Sequence, residues 1–262
     1  MPLSNSSNQD YHADRNYISS SGLKLLLKDQ QAFYKRYILN EPEEIKNSAA
    51  LNFGTAAHLA ILEPHLYAES IKIFKGLRRS GAVWDIFASD HRDKIILNSA
   101  EEEKLLTLVE IYKQCSAAVE LLKDCEFEST KTKTIDGIAL KVRADAVNHK
   151  AGYVVDLKTT GFSADRSTFK LTCDSLCYDL SAYMYAKIFS STIDYDFYFI
   201  VLSKSDMNCK VYKASKSMML EGKTKFYSAI ETLKNNKLTG IWENVIINEE
   251  TTTTINNEIE DI

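Results

Sequence analysis

The sequence predicts an α/β protein in which helices flank a mixed central β-sheet and a mainly helical portion precedes that sheet. Residues 138–147 alternate strictly between the two faces of an extended chain, with apolar Ile138, Leu140 and Val142 on one face. Residues 197–203 give a second strand signal, because aromatic and β-branched side chains dominate them. Apolar residues recur at helical spacing before and after these segments, which completes the α/β pattern.

The first 125 residues carry mostly helix signals. Three helices are predicted there: one from Ser19–Ser21, which offer N-caps, to about Leu39, one at about 53–62, and one at 99–123. Pro64 is a stop signal for the second helix, and Ser99 is the expected cap of the third. Residues 65–98 show no clear periodicity.

The rest of the chain alternates between strand and helix signals. Residues 153–160 follow the alternating strand 138–147 after a short turn, so these two segments are predicted to form a β-hairpin. The other predicted elements are a helix near 174–190, the strand 197–203, a strand near 210–212 and a helix at about 217–235.

We expect one domain over residues 17–248, with a mainly helical part (17–125) and a part that holds the sheet and its flanking helices (126–248). Residues 1–16 are polar and expected to be flexible, and residues 249–262 are expected to form a disordered acidic tail. The formal net charge is -4, but outside that tail 32 basic residues face 31 acidic ones. Net charge therefore neither supports nor excludes nucleic acid as a partner.

Composition also bears on the cellular compartment. None of the five cysteines has the spacing of a zinc ribbon, and the first ten residues are polar rather than a basic and apolar signal segment. No apolar run approaches the roughly 20 residues that a membrane-spanning helix needs. We therefore expect a cytoplasmic protein with reduced thiols and no membrane partner.

Asp145, Asp156 and Lys158 form the one constellation that suggests chemistry. Side chains two apart in a strand share a face, so Asp156 and Lys158 point the same way, and the hairpin can bring Asp145 beside them. Two carboxylates on one face suit a hard divalent cation, and a neighbouring lysine can stabilise charge on a reacting phosphate. The spacing alone also fits a solvated hairpin face with a cross-strand ion pair.

Three segments, in order along the chain, resemble the RecE-type phage recombination exonucleases (exonuclease VIII) of the PD-(D/E)XK nuclease superfamily. They are YHADRNYISSSGLKLLLKDQQAFYKRYI, FGTAAHLAILEP and VRADAVNHKAGYVVDLKTT, and the resemblance covers roughly residues 11–215. It implies a restriction-endonuclease-like (PD-(D/E)XK) core with a mixed central sheet flanked by helices.

The resemblance also implies roles for particular residues. The implied metal ligands are His58, Asp145 and Asp156, and the implied catalytic residues are Lys158, Asp156, Asp145 and Glu128. Glu126 is close enough to Glu128 to be the upstream acid instead, so that choice stays open. The implied DNA contacts are Tyr185, Ser181, Arg143 and Thr159. Ser181 stands where the family usually has a glutamine, four residues before the tyrosine.

The activity that the resemblance implies is Mg²⁺-dependent exonucleolytic digestion of linear double-stranded DNA, with Mn²⁺ able to substitute. The expected direction is 5′ to 3′, which leaves 3′ single-stranded overhangs for recombination by strand annealing. Expected partners are DNA ends, a RecT-like single-strand annealing protein and further copies of the chain in a trimeric or tetrameric ring, in a bacterial host that carries a phage or prophage. The alternatives are an endonuclease or a catalytically impaired DNA-binding protein of the same fold.

Overall fold

A computed structural model of the chain describes residues 8–42, 48–190 and 194–243. The helices, in chain order, are α1 (Asn8–Ala13), α2 (Ser20–Lys28), α3 (Gln30–Phe33) with a π-helical turn (Tyr34–Ile38), α4 (Ala49–Leu62), α5 (Pro64–Ser70), α6 (Ala82–Asp90), α7 (Ser99–Gln114), α8 (Ser116–Leu121), α9 (Arg166–Ser175), α10 (Tyr178–Phe189) and α11 (Lys216–Thr239). The strands are β1 (Ile71–Phe74), β2 (Ile95–Asn98), β3 (Glu126–Ile135), β4 (Ile138–Asn148), β5 (Tyr153–Thr160), β6 (Asp196–Ser203) and β7 (Asn208–Lys213).

Strands β3 to β7 form one mixed sheet in the spatial order of their numbers. Its β5–β6 pair is parallel, and the three other pairs are antiparallel. The predicted hairpin is β4–β5, but the two strands pair only from Ala146 with Val155 to Asn148 with Tyr153. Beyond Ala146 the two strands are no longer paired, and this gap falls between Asp145 and the stretch that carries Asp156.

Two apolar cores lie on the two sides of this sheet. One contains Phe197, Phe199 and Val201 of β6 together with residues of α2, α10 and α11. The other contains Ile200 and Leu202 of the same strand, with residues of α4 and α8. This alternation is the period-two pattern of a strand buried on both faces. A third cluster packs α4 and α7 against the small parallel sheet β1–β2.

The sheet confirms the predicted mixed α/β fold class, but several helices end or begin elsewhere than expected. The predicted helix to Leu39 breaks at Asp29, whose side chain instead accepts a hydrogen bond from the Ala32 amide and caps α3. The predicted helix 99–123 is divided at Cys115. Its N-cap is Asn98 rather than Ser99, because Asn98 and Glu101 exchange side-chain and backbone hydrogen bonds in a capping box.

Regular structure also forms in two segments where the sequence predicted none, near the N-terminus and within residues 65–98. Residues 8–16 differ from the expected loose N-terminus, since α1 lies there and buries Tyr11. Residues 65–98 fold as α5, β1, α6 and β2. The helix expected near 174–190 is α10, which begins only at Tyr178 because Cys177 has a left-handed backbone conformation, and α9 precedes it. The predicted acidic tail 249–262 lies outside the described residues.

Within the part of the chain that the structure describes, no helix has the length and apolar character needed to span a bilayer.

Candidate active site

The backbone of Leu157 holds two of the expected metal ligands in place. Its amide donates a hydrogen bond to Asp145 Oδ2 at 2.6 Å, across the gap where β4 and β5 stop pairing. Its carbonyl oxygen lies 2.7 Å from His58 Nε2, on α4. Because a carbonyl oxygen only accepts, the imidazole donates its Nε2 proton to it, and the neutral tautomer with this geometry has its lone pair on Nδ1. That nitrogen lies 3.6 Å from Asp145 Oδ1.

Glu128 completes a cluster with these two side chains. One ligand atom from each of His58, Glu128 and Asp145 lies within 4.8 Å of the others. Glu128 lies on β3 between the paired residues Phe127 and Ser129, and its φ of 50° is in the left-handed region that non-glycine residues seldom adopt. This local strain at the cluster is a common feature of functional sites.

Of the two candidate acids, Glu128 and not Glu126 lies beside His58 and Asp145. Glu126 accepts hydrogen bonds from Ser129 and from the exposed His149, and it is not part of the cluster. Glu128 instead accepts a 2.8 Å hydrogen bond from Arg143 Nε. The guanidinium therefore orients the carboxylate toward His58 and Asp145.

The charges of this cluster favour a bound cation. Burial is the largest cause that raises the pKa of Glu128, and the nearby Asp145 carboxylate raises it further. The positive charge of Arg143 opposes this shift. Two carboxylates that repel each other beside an unprotonated imidazole nitrogen are relieved by a divalent metal ion. These three residues therefore fit the divalent metal on which nucleases of the superfamily depend.

Asp156 and Lys158 form a second, adjacent group on β5. Lys158 Nζ lies 2.6 Å from Asp156 Oδ2. Val155 and Leu157, which alternate with them along β5, pack into the core on the side of the sheet that holds α4 and α8. Burial raises the pKa of Asp156, and the charge of Lys158 opposes that shift. For Lys158 burial lowers the pKa, but the carboxylates of Asp156 and Asp145 raise it above its usual value. Lys158 is therefore a permanently charged ammonium at neutral pH.

The structure thus brings together the expected catalytic set in two parts. His58, Glu128 and Asp145 share one cluster, whereas Asp156 faces Lys158 and lies outside the three mutually close ligand atoms. Asp145 connects the two parts, because its charge acts on both Glu128 and Asp156.

The four expected DNA contacts occupy different environments. Arg143 is engaged with Glu128, so a DNA contact by this residue stays a prediction. Thr159 Oγ1 lies close to Gly54 of α4, where an added Cβ would be 3.5 Å away. Tyr185 is hydrogen-bonded to Ser20, and burial raises its pKa well above the usual value. Ser181 lies one turn before Tyr185 on α10.

The role of the Leu157 backbone was missed from the sequence, and no signal could have found it. Backbone N–H and C=O groups are the same for every residue type except proline, so only the fold selects which ones orient a ligand. Tyr178, whose ring lies near both Lys24 and Lys158, is another side chain that no sequence pattern singled out.

A mixed sheet that presents Asp145 on β4 and an Asp-x-Lys pair on β5, with Glu128 of β3 and His58 of α4 beside them, has the arrangement of a metal-dependent phosphodiesterase. The family model of the PDDEXK-like domain of unknown function (DUF3799) matches residues 19–244, and the chain belongs to this family. It is therefore a PD-(D/E)XK nuclease, with the restriction-endonuclease-like core that the sequence predicted.

Solved structures agree with this fold. A protein described as a candidate exonuclease from Eubacterium rectale aligns with a TM-score of 0.65 and 14% identity, over 98% of this chain and 95% of that chain. An alkaline exonuclease (LHK-Exo) from Laribacter hongkongensis aligns with a TM-score of 0.42 and 12% identity, over 88% of this chain and 94% of that one. The second likeness is too distant to carry an argument. No curated protein sequence matches the chain.

Proposed function

We propose that this chain is a Mg²⁺-dependent exodeoxyribonuclease that digests linear double-stranded DNA from its ends. The observation that carries the proposal is the cluster of His58, Glu128 and Asp145 next to the buried Asp156–Lys158 pair. The fold-level likeness to the Eubacterium rectale protein, described as a candidate exonuclease, favours an exonuclease over an endonuclease. Mn²⁺ is expected to substitute for Mg²⁺, since a site with one imidazole and carboxylates suits both.

In the proposed mechanism His58, Glu128 and Asp145 hold the metal, and Asp156 completes the acidic face. When bound, a divalent cation polarises the phosphoryl oxygen and lowers the pKa of water. The ammonium of Lys158 orients the attacking water and stabilises the charge that develops on the phosphate oxygens. Hydrogen bonds from the Leu157 backbone and from Arg143 fix the ligands before substrate arrives, so little reorganisation is needed.

The finer parts of the proposal follow from the resemblance to RecE-type exonucleases. Digestion is proposed to run 5′ to 3′ and to leave 3′ overhangs for recombination by strand annealing, with a RecT-like annealing protein as partner. Tyr185, Ser181 and Thr159 are proposed to contact DNA. The proposed setting is the cytoplasm of a bacterium that carries a phage or prophage.

A ring of three or four chains is also proposed. One chain has a mass of 29.7 kDa, so size-exclusion chromatography with light scattering should give about three or four times this mass. A single species of one chain's mass at micromolar concentration would contradict the ring, without bearing on the nuclease itself.

The nuclease proposal is tested with linear and closed-circular duplex DNA, in Mg²⁺ and in EDTA. Wild-type protein should degrade linear DNA only, and only in Mg²⁺. Lys158→Ala should slow this reaction at least about 100-fold, because it removes the ammonium aimed at the developing charge. The exposed Lys237→Ala on α11 is the matched control and should cleave as the wild type does.

Each alternative has its own signature in the same assay. Cleavage of circular DNA would identify an endonuclease. Cleavage of neither substrate, with DNA binding retained, would identify a binding protein in which Ser181 replaces the usual glutamine. Circular dichroism of Lys158→Ala separates lost chemistry from lost folding, since this variant leaves Asp156 without its buried partner.

A further inference from the structure

Lys24 lies beside the candidate active site, close to the same Tyr178 ring as Lys158. Its Nζ is 5.2 Å from the centre of the Tyr178 ring, and Lys158 Nζ is 5.2 Å from the centre of the same ring. The two ammonium groups are therefore at most about 10 Å apart. Two successive phosphates of a strand can therefore each contact one of the two ammonium groups.

The charge of Lys24 is only partly offset by the carboxylates of Asp156 and Asp179. Among the described residues it has no ion-pair or hydrogen-bond partner. The nearby acids are already engaged: Asp156 pairs with Lys158, and the buried Asp179 pairs with Lys225 at 2.7 Å. The pKa of Lys24 is lowered to about 8, mainly by burial and then by the positive charge of Lys158. An anion bound between the two lysines would relieve this repulsion.

The position of Lys24 is set by two facing helices. Ser20 and Lys24 are four residues apart on α2 and share one of its faces, and Ser20 is hydrogen-bonded to Tyr185 of α10. Tyr178 and Tyr185 likewise lie on one face of α10, seven residues apart. These two facing helix surfaces lie next to Asp156 and Lys158. Lys24 is therefore half-buried beside the site and does not lie on an open surface.

A purely structural explanation for Lys24 is weak. A lysine over a tyrosine ring gains about 0.5–2 kcal/mol from the cation–π contact. An apolar side chain of similar length, such as methionine, would fill the same space without the desolvation penalty that lowers the pKa of Lys24. A half-buried lysine beside the catalytic pair, with no ion-pair partner among the described residues, is a candidate for binding a ligand.

We propose that Lys24 binds a phosphate group of the DNA strand while Lys158 acts on the scissile phosphate. This inference rests on the proposed nuclease function and adds a substrate-positioning residue to it. The phosphate comes either from the terminal 5′-phosphate or from an internal phosphodiester, and both offer the same anionic oxygens to an ammonium group.

The test compares Lys24→Met and Lys24→Arg with Lys28→Met, an exposed lysine one turn later on the same helix. Binding is measured by fluorescence anisotropy in Ca²⁺ instead of Mg²⁺, with duplex DNA that ends in a 5′-phosphate or a 5′-hydroxyl. Lys24→Met should weaken binding about 10-fold and reduce the salt dependence by about one ion. Its melting temperature should equal or exceed that of the wild type. Lys24→Arg and Lys28→Met should both bind within about threefold of the wild type, since each keeps the positive charge at position 24.

The outcomes separate the two phosphate sources and the two proposals. A loss confined to the 5′-phosphorylated DNA assigns Lys24 to the terminal phosphate, and an equal loss on both substrates assigns it to an internal phosphodiester. Wild-type affinity of Lys24→Met for both substrates would overturn the inference. Since binding is read without cleavage, a wild-type protein that binds but does not cut would refute the nuclease and leave the role of Lys24 testable.

Discussion

Replacing Asp145 with asparagine is expected to slow cleavage of linear DNA at least about 100-fold while the protein stays folded. Asparagine keeps an oxygen in the place of Asp145 Oδ2, so the 2.6 Å hydrogen bond from the Leu157 amide can persist. It removes the negative charge that Asp145 contributes, beside His58 and Glu128, to the proposed metal cluster. Loss of one charged ligand should remove several kcal/mol of stabilisation from the transition state. Cleavage rates in Mg²⁺ and Mn²⁺ binding by calorimetry both test this.

Two further variants make the Asp145 experiment specific. Asp145→Ala should also lower the free energy of unfolding by about 1–3 kcal/mol, because the Leu157 amide loses its acceptor. The exposed Asp85→Asn on α6 serves as a charge-matched control and should match the wild type. An Asp145→Asn protein that binds Mn²⁺ and cleaves normally would remove Asp145 from the site.

The second large effect concerns the packing of α10 against α11. An added Cβ at Gly222 would overlap the backbone oxygen of Asp179 and lie 2.5 Å from its carbonyl carbon. These are backbone atoms that cannot rotate away, so the two helices would have to separate and strain the buried Asp179–Lys225 ion pair. Gly222→Ala should therefore destabilise the protein by about 1–3 kcal/mol, as overpacked cores do.

The sign of this effect distinguishes packing from helix propensity. In a helix with free space, alanine is more stable than glycine by about 0.5–1 kcal/mol. Gly54 of α4 provides that comparison, because its added Cβ would meet only Thr159 Oγ1, at an ordinary 3.5 Å. Chemical denaturation of Gly54→Ala and Gly222→Ala should give shifts of opposite sign, or a negligible shift for Gly54→Ala. A Gly222→Ala protein as stable as Gly54→Ala would show that the helices are not held this closely.

Much of the sheet and part of the site could be predicted from local patterns. Strand β4 was recognisable because its side chains alternate, and Asp156 and Lys158 share a face because strand side chains repeat every two residues. The hairpin then placed Asp145 near them, as the structure confirms through the Leu157 contact. Helix ends were less predictable, since caps such as Asp29 and Asn98 depend on which competing polar residue the tertiary contacts select.

The sequence by itself therefore determined the fold class, the hairpin and the local pairing of acid and lysine, all of which follow from short-range periodicity. Only the tertiary structure decided that His58 reaches the Leu157 carbonyl, a contact between residues 99 positions apart. It also placed Glu128, and not Glu126, beside His58 and Asp145, and it brought Lys24 to the same aromatic ring as Lys158. Such contacts join separate elements, and their geometry depends on how helices and strands pack, which no local pattern of side chains encodes.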